Sequence, residues 1–183
     1  MKRVTRQEVM DFVTYEDLRE KFREKIMMIK ELRRIDVAGV LSFLFENTDT
    51  VHYQIQEMIR VERIVKEIDI QHEINTYNEL LGRSGELGCT LLIEIDNSQE
   101  REEKLTQWLD LPNHLYLRLE DESKIRASFD ERQIGDSRLS SVQYIKFNTG
   151  GKTPVAIGSD LPQFNAETVL TADQKKALAE DLS

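Results

Sequence analysis

The spacing of the apolar residues changes once along this chain, and that change limits the folds it can adopt. Up to about residue 83, apolar residues recur mainly at three- and four-residue steps, as in amphipathic helices. From residue 86 they alternate instead, and the alternating set is Leu87, Cys89, Leu91, Ile93 and Ile95. This order predicts an α+β fold, with an antiparallel sheet of about four to six strands and amphipathic helices packed on one face.

The length of 183 residues predicts a single domain over residues 1–183. Its parts are a helical segment over about residues 1–83, a sheet-rich segment over about 84–170 and a C-terminal helix over 171–182. Thr171 and Gln174 have the spacing of a capping box at the start of that last helix.

The net charge of −9 argues against nucleic-acid binding, because phosphate recognition needs a basic surface. The first ten residues contain no apolar signal core, and no apolar run is long enough to cross a bilayer. The sequence therefore predicts a cytoplasmic protein without a membrane segment.

The first long helix is predicted over residues 15–34, with Thr14 as its N-cap. Its apolar stripe is formed by Leu18, Phe22, Ile26, Ile29 and Leu32. Residues 35–45 are too continuous, β-branched and aromatic for a surface helix and predict one buried strand. Later in the chain, a hairpin is predicted around Asp121 to Ser123, a strand over residues 142–148 and a loop over residues 158–163.

The candidate site lies on a helix predicted over residues 50–68, which either ends near Asp69 or continues to residue 81 with a second packing surface. Glu57 and Arg60 are i,i+3 neighbours and are predicted to pair. On a helical wheel Glu62 falls within the apolar arc, and burying an unpaired carboxylate is costly. The sequence therefore predicts either a structural ion pair of Glu62 with Arg33 or Arg34, or a cavity lined by Glu62. The apolar arc consists of Val51, Ile55, Met58, Val65 and Ile68.

The sequence gives little support for a metal site or for a catalytic nucleophile. Cys89 is the one cysteine, which excludes an intrachain disulfide and a multi-cysteine metal site within this chain. Asp69, His72 and Glu73 could present three ligands from one helix face, but they supply only half of the pattern of a di-iron site. A metal site there is a third hypothesis; no cofactor, metal ligand or catalytic residue is predicted.

The segment from Phe45 to Glu62 resembles an uncharacterised bacterial family, the domain of unknown function 3501 (DUF3501). The resemblance continues through residues 85–87, 91–95, 127–130 and 141–144, and so covers most of the chain. It implies a ligand- or partner-binding site at the residues that match the family signature, which are Glu46, Asn47, Gln56, Glu57, Arg60 and Glu62. The family is often encoded beside rubrerythrin-type and iron–sulfur oxidoreductase proteins, which implies a link to redox or oxidative-stress physiology.

Two functions follow as hypotheses. The first is a non-enzymatic bacterial accessory protein with a redox protein as its partner, and the charge asymmetry between the two halves is compatible with such a contact or with a homo-oligomer. The second is a small-molecule-binding protein or enzyme, with a polar pocket between the central helix and the sheet. In that pocket Glu62 and Arg60 would be the polar contacts.

Overall fold

The computed structural model describes residues 1–183 and contains six α-helices and nine strands, which form two antiparallel sheets. The five-stranded sheet has the order β1-β2-β3-β7-β6 and the four-stranded sheet the order β5-β4-β8-β9. The predicted α+β class is confirmed, and its strands are divided between two sheets. The helices are α1 (Phe12–Glu31), α2 (Thr48–Glu62), α3 (Glu67–Asn78), α4 (Ser98–Gln107), α5 (Leu111–His114) and α6 (Ala172–Leu182). The strands are β1 (Arg34–Val37), β2 (Leu41–Glu46), β3 (Glu86–Ile93), β4 (Leu115–Arg118), β5 (Lys124–Arg126), β6 (Ser128–Phe129), β7 (Val142–Asn148), β8 (Ala156–Leu161) and β9 (Phe164–Val169).

The larger core joins the two sheets. Alternate residues of β3 point into it, as the two-residue spacing predicts, and side chains of β4 and β8 enter it from the other sheet. Trp108 after α4 and Leu178 of α6 complete the same cluster of 21 buried residues. Because both sheets contribute to one apolar cluster, burial of this cluster holds the sheet-rich part together.

Residues 35–45 form a hairpin, so the prediction of one strand is wrong. A turn between Val37 and Val40 separates β1 from β2, and its central residues Ala38 and Gly39 have φ angles of 53° and 67°. Positive φ at both central positions is the pattern of a type I′ hairpin turn. Every residue of β2 is buried, which explains why the apolar run continues through this segment without alternation.

The first three helices and the segment before them, residues 1–11, form a helical layer with a smaller core of its own. Val51 and Ile55 of α2 meet Ile70 and Ile74 of α3 in this cluster of eight buried residues. α1 begins after Asp11, whose carboxylate accepts hydrogen bonds from the N–H groups of Val13 and Thr14. The predicted cap at Thr14 is therefore wrong by three residues, because aspartate is an equally good cap.

α2 ends earlier than predicted. Arg63 adopts the left-handed conformation, with φ of 51°, and terminates the helix after Glu62. Val65 and Ile68 of the predicted apolar arc are consequently 71% and 76% exposed. The break between α2 and α3 thus lies at residues 63–66, before the predicted position near Asp69.

β8 and β9 pair with each other over residues predicted to be a loop. Gly158 lies within β8, opposite Glu167, and a side chain on it would meet the carbonyl oxygen of Ala166 at 2.3 Å. The glycine therefore permits a close backbone approach inside the sheet, where the sequence suggested a turn. No helix is long and apolar enough to cross a membrane.

Candidate functional site

Three amide side chains bind backbone in the same two-point manner. Asn78 accepts from the N–H of Val4 at 2.9 Å and donates to its carbonyl at 2.9 Å. Gln56 does the same to Met10, at 2.7 and 3.3 Å, and Gln133 to Tyr144, at 2.8 and 3.1 Å. Each amide imitates the pairing of a neighbouring strand, which satisfies backbone groups that no strand reaches.

These amide contacts give Gln56 a structural position. It is fully buried and fixes the N-terminal segment on α2, 46 residues away in sequence. No sequence pattern indicates Asn78 or Gln133 as its counterparts, because the partner of each is a backbone group distant along the chain. The ligand- or partner-binding role predicted for Gln56 stays a prediction.

Glu46 and Asn47 lie at the junction of β2 and α2. Glu46 is 1% exposed, and its carboxylate accepts hydrogen bonds from Thr50 at 2.5 Å, Gln54 at 3.0 Å and Thr90 at 2.7 Å. Asn47 is the N-cap of α2 and accepts from the N–H of Thr50 at 3.0 Å. The sequence predicts the polar turn, but the buried carboxylate depends on β3 and is visible only in the fold.

A cationic side chain lies near this carboxylate without contacting it. The amine of Lys30 stands 5.2 Å from the ring centroid of Tyr53. Burial lowers the pKa of Lys30, and the charge of Glu46 opposes that shift. Glu46 therefore has only neutral hydrogen-bond donors as direct partners.

Glu57 connects α2 to α1. It accepts from the hydroxyl of Tyr15 at 2.7 Å, from Arg19 at 2.8 and 3.1 Å and from Arg60 at 3.1 Å. Burial alone would raise the pKa of Glu57, but these donors together lower it to about 2. The contact between Glu57 and Arg60 predicted from their spacing is present, and it forms part of a larger ionic cluster that also includes Glu16.

Glu62 does not lie where the sequence places it. Its side chain is exposed at the end of α2 and makes no ion pair, so the prediction of an inward carboxylate is wrong. Arg33 instead pairs with Asp181 of α6 at 2.7 and 3.0 Å, and both side chains are 8% exposed. Arg34 makes no ion pair. The predicted pairing of Glu62 with either arginine is therefore wrong, because the helical wheel was continued to a residue at the helix end.

The six residues of the family signature thus occupy separate places. Glu46 and Asn47 lie under the start of α2, Gln56 lies against the N-terminal segment, and Glu57 with Arg60 faces α1. Glu62 stands apart in solvent. The structure does not bring Arg60 and Glu62 together at one pocket between the central helix and the sheet.

A row of residues crosses the helix-facing side of the five-stranded sheet. In register, Glu46 of β2 is followed by Gly88 of β3, Lys146 of β7 and Ser128 of β6. At Gly88 the helical layer touches the sheet, since a side chain there would lie 1.8 Å from the carbonyl oxygen of Leu80. Beyond Gly88 the two layers diverge, and a cleft opens over Lys146.

This α3 cleft, between α3 and the strands β6 and β7, has a volume of about 940 Å³. Tyr77 lines it from α3, and Tyr144 and Lys146 line it from β7. Burial, followed by the neighbouring Glu73 and Tyr144, raises the pKa of the Tyr77 hydroxyl. Two further cations, Arg3 and Arg83, and the carboxylates of Glu73, Glu79 and Asp130 also lie along the cleft.

The cations of the α3 cleft lack carboxylate partners. Arg3, Arg83 and Lys146 form no ion pair, although most other arginines of the chain do. Lys146 is also half-buried, so its side chain lies partly within the cleft. A second depression of about 480 Å³ differs because each of its cations has a partner in the protein. Arg138 pairs with Glu102, and Arg101 donates to the carbonyl of Ile95.

Cys89 offers no reactive thiolate. It is buried, and burial raises the pKa of its thiol well above the ordinary value. No group of three or more histidine, cysteine or acidic side chains is arranged to hold a metal ion, and this includes Asp69, His72 and Glu73.

Fold and site together define a two-sheet α+β protein with a charged, aromatic-lined cleft beneath its third helix. The family model described as protein of unknown function (DUF3501) matches residues 3–182, so the chain belongs to that family. The chain is similar to a protein of unknown function from Burkholderia pseudomallei K96243, known from a crystal structure at 1.90 Å resolution. The TM-score is 0.91, the sequences are 27% identical, and the match covers 100% of both chains. No curated protein matches the chain.

Proposed function

We propose that this protein binds a small polar organic molecule in the α3 cleft. The observation that carries the proposal is the half-buried, unpaired Lys146 at the base of a cleft of about 940 Å³. Ligand sites in proteins are typically concave, of this size, and combine aromatic walls with a few placed polar groups. The ammonium of Lys146 has three N–H donors and no hydrogen-bond or ion-pair partner in the protein, so it is free to bind a polar group of a ligand.

The walls of the α3 cleft are held in place before any ligand arrives. Gln133 fixes the backbone of Tyr144 on one side, and Asn78 fixes Val4, next to Arg3, on the other. Gly88 sets the separation of the layers at the closed end. A preformed site lowers the ordering cost of binding, which supports a binding role for this cleft.

This proposal keeps the class of the second hypothesis drawn from the sequence and changes its site. Arg60 is occupied by Glu57 and Glu16, and Glu62 is exposed, so neither serves a pocket here. The polar contacts proposed here are instead Tyr77, Tyr144 and Lys146. Nothing in the spacing of these three residues indicates a site, because they come together only when α3 and β7 face each other across the cleft.

A library of small charged and neutral organic compounds, screened by amide chemical shifts of the isotopically labelled protein, tests the proposal. We expect bound compounds to shift the amides of Tyr77, Tyr144 and Lys146. The depression at Arg101 and Arg138 is an internal control, because it is also concave but its cations are satisfied. Compounds that shift only amides around that depression, or none at all, would contradict a binding role for the α3 cleft.

The accessory role with a redox protein rests on the family resemblance and stays a prediction, together with the cytoplasmic location. Because the thiol of Cys89 is buried and protonated, we expect any redox group to belong to the partner. Affinity purification of the tagged protein from its own cells, with mass spectrometry of the eluate, tests this role. Recovery of a stoichiometric oxidoreductase would support it, and recovery of the chain alone, as a monomer or homo-oligomer, would count against it.

A further inference from the structure

We infer that the ligand of the α3 cleft is an anion carried by a planar ring, such as an aromatic carboxylate or a nucleotide. This inference rests on the proposed binding function and adds the chemical class of the ligand. The ring would lie against Tyr144 and Tyr77, and the anionic group would bind the ammonium of Lys146.

The unpaired cations of the cleft favour an anionic ligand. Its cations Arg3, Arg83 and Lys146 are all unpaired, whereas one of its three carboxylates, Asp130, is already bound by Arg132 at 2.5 Å. The cleft therefore presents more free cations than free carboxylates in a chain of net charge −9. A cation without a carboxylate partner can bind the anionic group of a ligand through a charge-assisted hydrogen bond.

Lys146 is not reserved for a structural partner. The buried carboxylate in its row, Glu46, lies two strands away, and neutral donors already bind both of its oxygens. Gly88, between them, has no side chain that could reach the amine. The ammonium of Lys146 is therefore available to a ligand on the cleft side.

The tyrosines favour a planar ring. Tyr77 and Tyr144 come from opposite walls, and neither stacks on another aromatic ring of the protein. Tyr144 is 47% exposed, a high value for an aromatic residue in the middle of a strand. Free aromatic faces on a rigid strand are the usual platforms on which planar groups stack.

The spacing of the two contacts sets the size of the ligand. Tyr144 and Lys146 are two residues apart on β7, so their side chains leave the same face of the sheet about 7 Å apart. A ring on Tyr144 and an anionic group on Lys146 are thus separated by a few bonds. Indole-3-acetate and adenosine 5′-monophosphate both meet this requirement, one through a carboxylate and the other through a phosphate.

Two matched pairs of probes test the inference, with dissociation constants taken from amide shifts on titration. The pairs are indole-3-acetate with indole-3-acetamide, and adenosine 5′-monophosphate with adenosine. We expect at least one anion to bind about tenfold more tightly than its neutral partner, as a charge-assisted hydrogen bond predicts. The pair that shows this preference identifies a carboxylate or a phosphate as the anionic group.

Variants test whether Lys146 and Tyr144 cause the preference for the anionic probe. Lys146→Gln should remove it, whereas Lys175→Gln on α6, a half-buried lysine that also makes no ion pair, should leave it unchanged. Tyr144→Ser should weaken both members of a pair, and Tyr144→Phe should retain binding. The wild-type comparison decides the inference even where a variant is unstable.

The failures of the two proposals are distinct. Equal affinity for anion and neutral partner, or no binding by any of the four probes while other compounds occupy the cleft, overturns the anionic-ring ligand and leaves the binding function standing. An α3 cleft that no compound of the library occupies overturns both.

Discussion

Several polar side chains of this protein bind groups far away in sequence, and the partly buried Glu57 binds three side chains. Its carboxylate joins Tyr15 and Arg19 of α1 to Arg60 of its own helix. Loss of the charge on Glu57 leaves the partly buried guanidinium groups of Arg19 and Arg60 with fewer hydrogen-bond partners. Neutralising Glu57 should therefore lower the free energy of unfolding by a large amount, and that amount should depend on pH.

Glu57→Gln tests this dependence. The pKa of Glu57 is lowered to about 2 in the folded protein, below its unfolded value, so its stabilisation is complete above about pH 5 and is lost as the pH falls towards 2. We expect the variant to be less stable by about 2–3 kcal/mol at pH 7 and nearly equal to the wild type at pH 2. Urea unfolding at several pH values measures the difference.

Glu24→Gln is the matched control for Glu57→Gln, because Glu24 is exposed on α1 and makes no ion pair. It should leave the free energy of unfolding unchanged at every pH. A deficit of Glu57→Gln that stayed constant from pH 7 to pH 2 would show that the ionised carboxylate is not the cause.

The ion pair of Arg33 with Asp181 and the unpaired carboxylate of Glu62 give a second prediction at this scale. Asp181→Asn leaves the buried guanidinium of Arg33 without its charged partner and should lower the free energy of unfolding by about 3 kcal/mol. Glu62→Gln removes an exposed, unpaired carboxylate and should change it by less than about 0.5 kcal/mol. Thermal unfolding of both variants compares them directly, and a large loss in Glu62→Gln would restore the inward position predicted from the sequence.

The sequence predicts local partners better than distant ones. The i,i+3 contact of Glu57 with Arg60 follows from helix geometry alone, and it is present. Arg33 finds its partner 148 residues later, and no pattern in the chain connects it with Asp181. The wheel argument for Glu62 fails because Arg63 takes a left-handed conformation that propensity does not indicate.

At the scale of helices and strands, close backbone contacts between elements decide the geometry of the α3 cleft. α3 ends at Asn78, and the turn after it brings the carbonyl of Leu80 directly over β3 at Gly88. The strand itself is evident from its alternating residues, and the reason for its glycine is not. Gly158 in β8 is a similar case. The sequence suggested a loop there, but this glycine permits a close backbone contact inside the sheet.

Gly88→Ala should therefore be much more damaging than a glycine substitution in a turn. The added carbon would lie 1.8 Å from the carbonyl oxygen of Leu80, so the helical layer must move away from the sheet. We expect a loss of at least about 3 kcal/mol, or failure to fold, compared with about 1 kcal/mol for Gly39→Ala.

Gly39 is a suitable control because it has a positive φ of 67° but open space around it. Its substitution therefore measures backbone strain without a steric clash. Chemical unfolding of the two variants gives the comparison. Similar losses would mean that the helical layer does not rest on β3 at Gly88.

At the scale of the whole molecule, two apolar cores of unequal size are joined by a polar boundary. The larger core holds 21 buried residues from both sheets, and the core of the helical layer holds eight. Between them lie Glu46 with its three donors and the close contact at Gly88. A core as small as that of the helical layer does not stay folded alone.

The helical layer should therefore unfold together with the sheets, as a single domain does. Trp108, the one tryptophan, lies in the larger core and reports on the sheets, whereas helical circular dichroism is dominated by the long helices α1 and α2. We expect the urea midpoints of tryptophan fluorescence and of circular dichroism at 222 nm to agree within about 0.2 M. A lower urea midpoint for circular dichroism than for fluorescence would show that the sheets persist without the helical layer. The chain would then consist of two units, with the α3 cleft at their junction. A ligand bound in that cleft would in that case raise the first midpoint alone, because it would stabilise only the state in which both walls are formed.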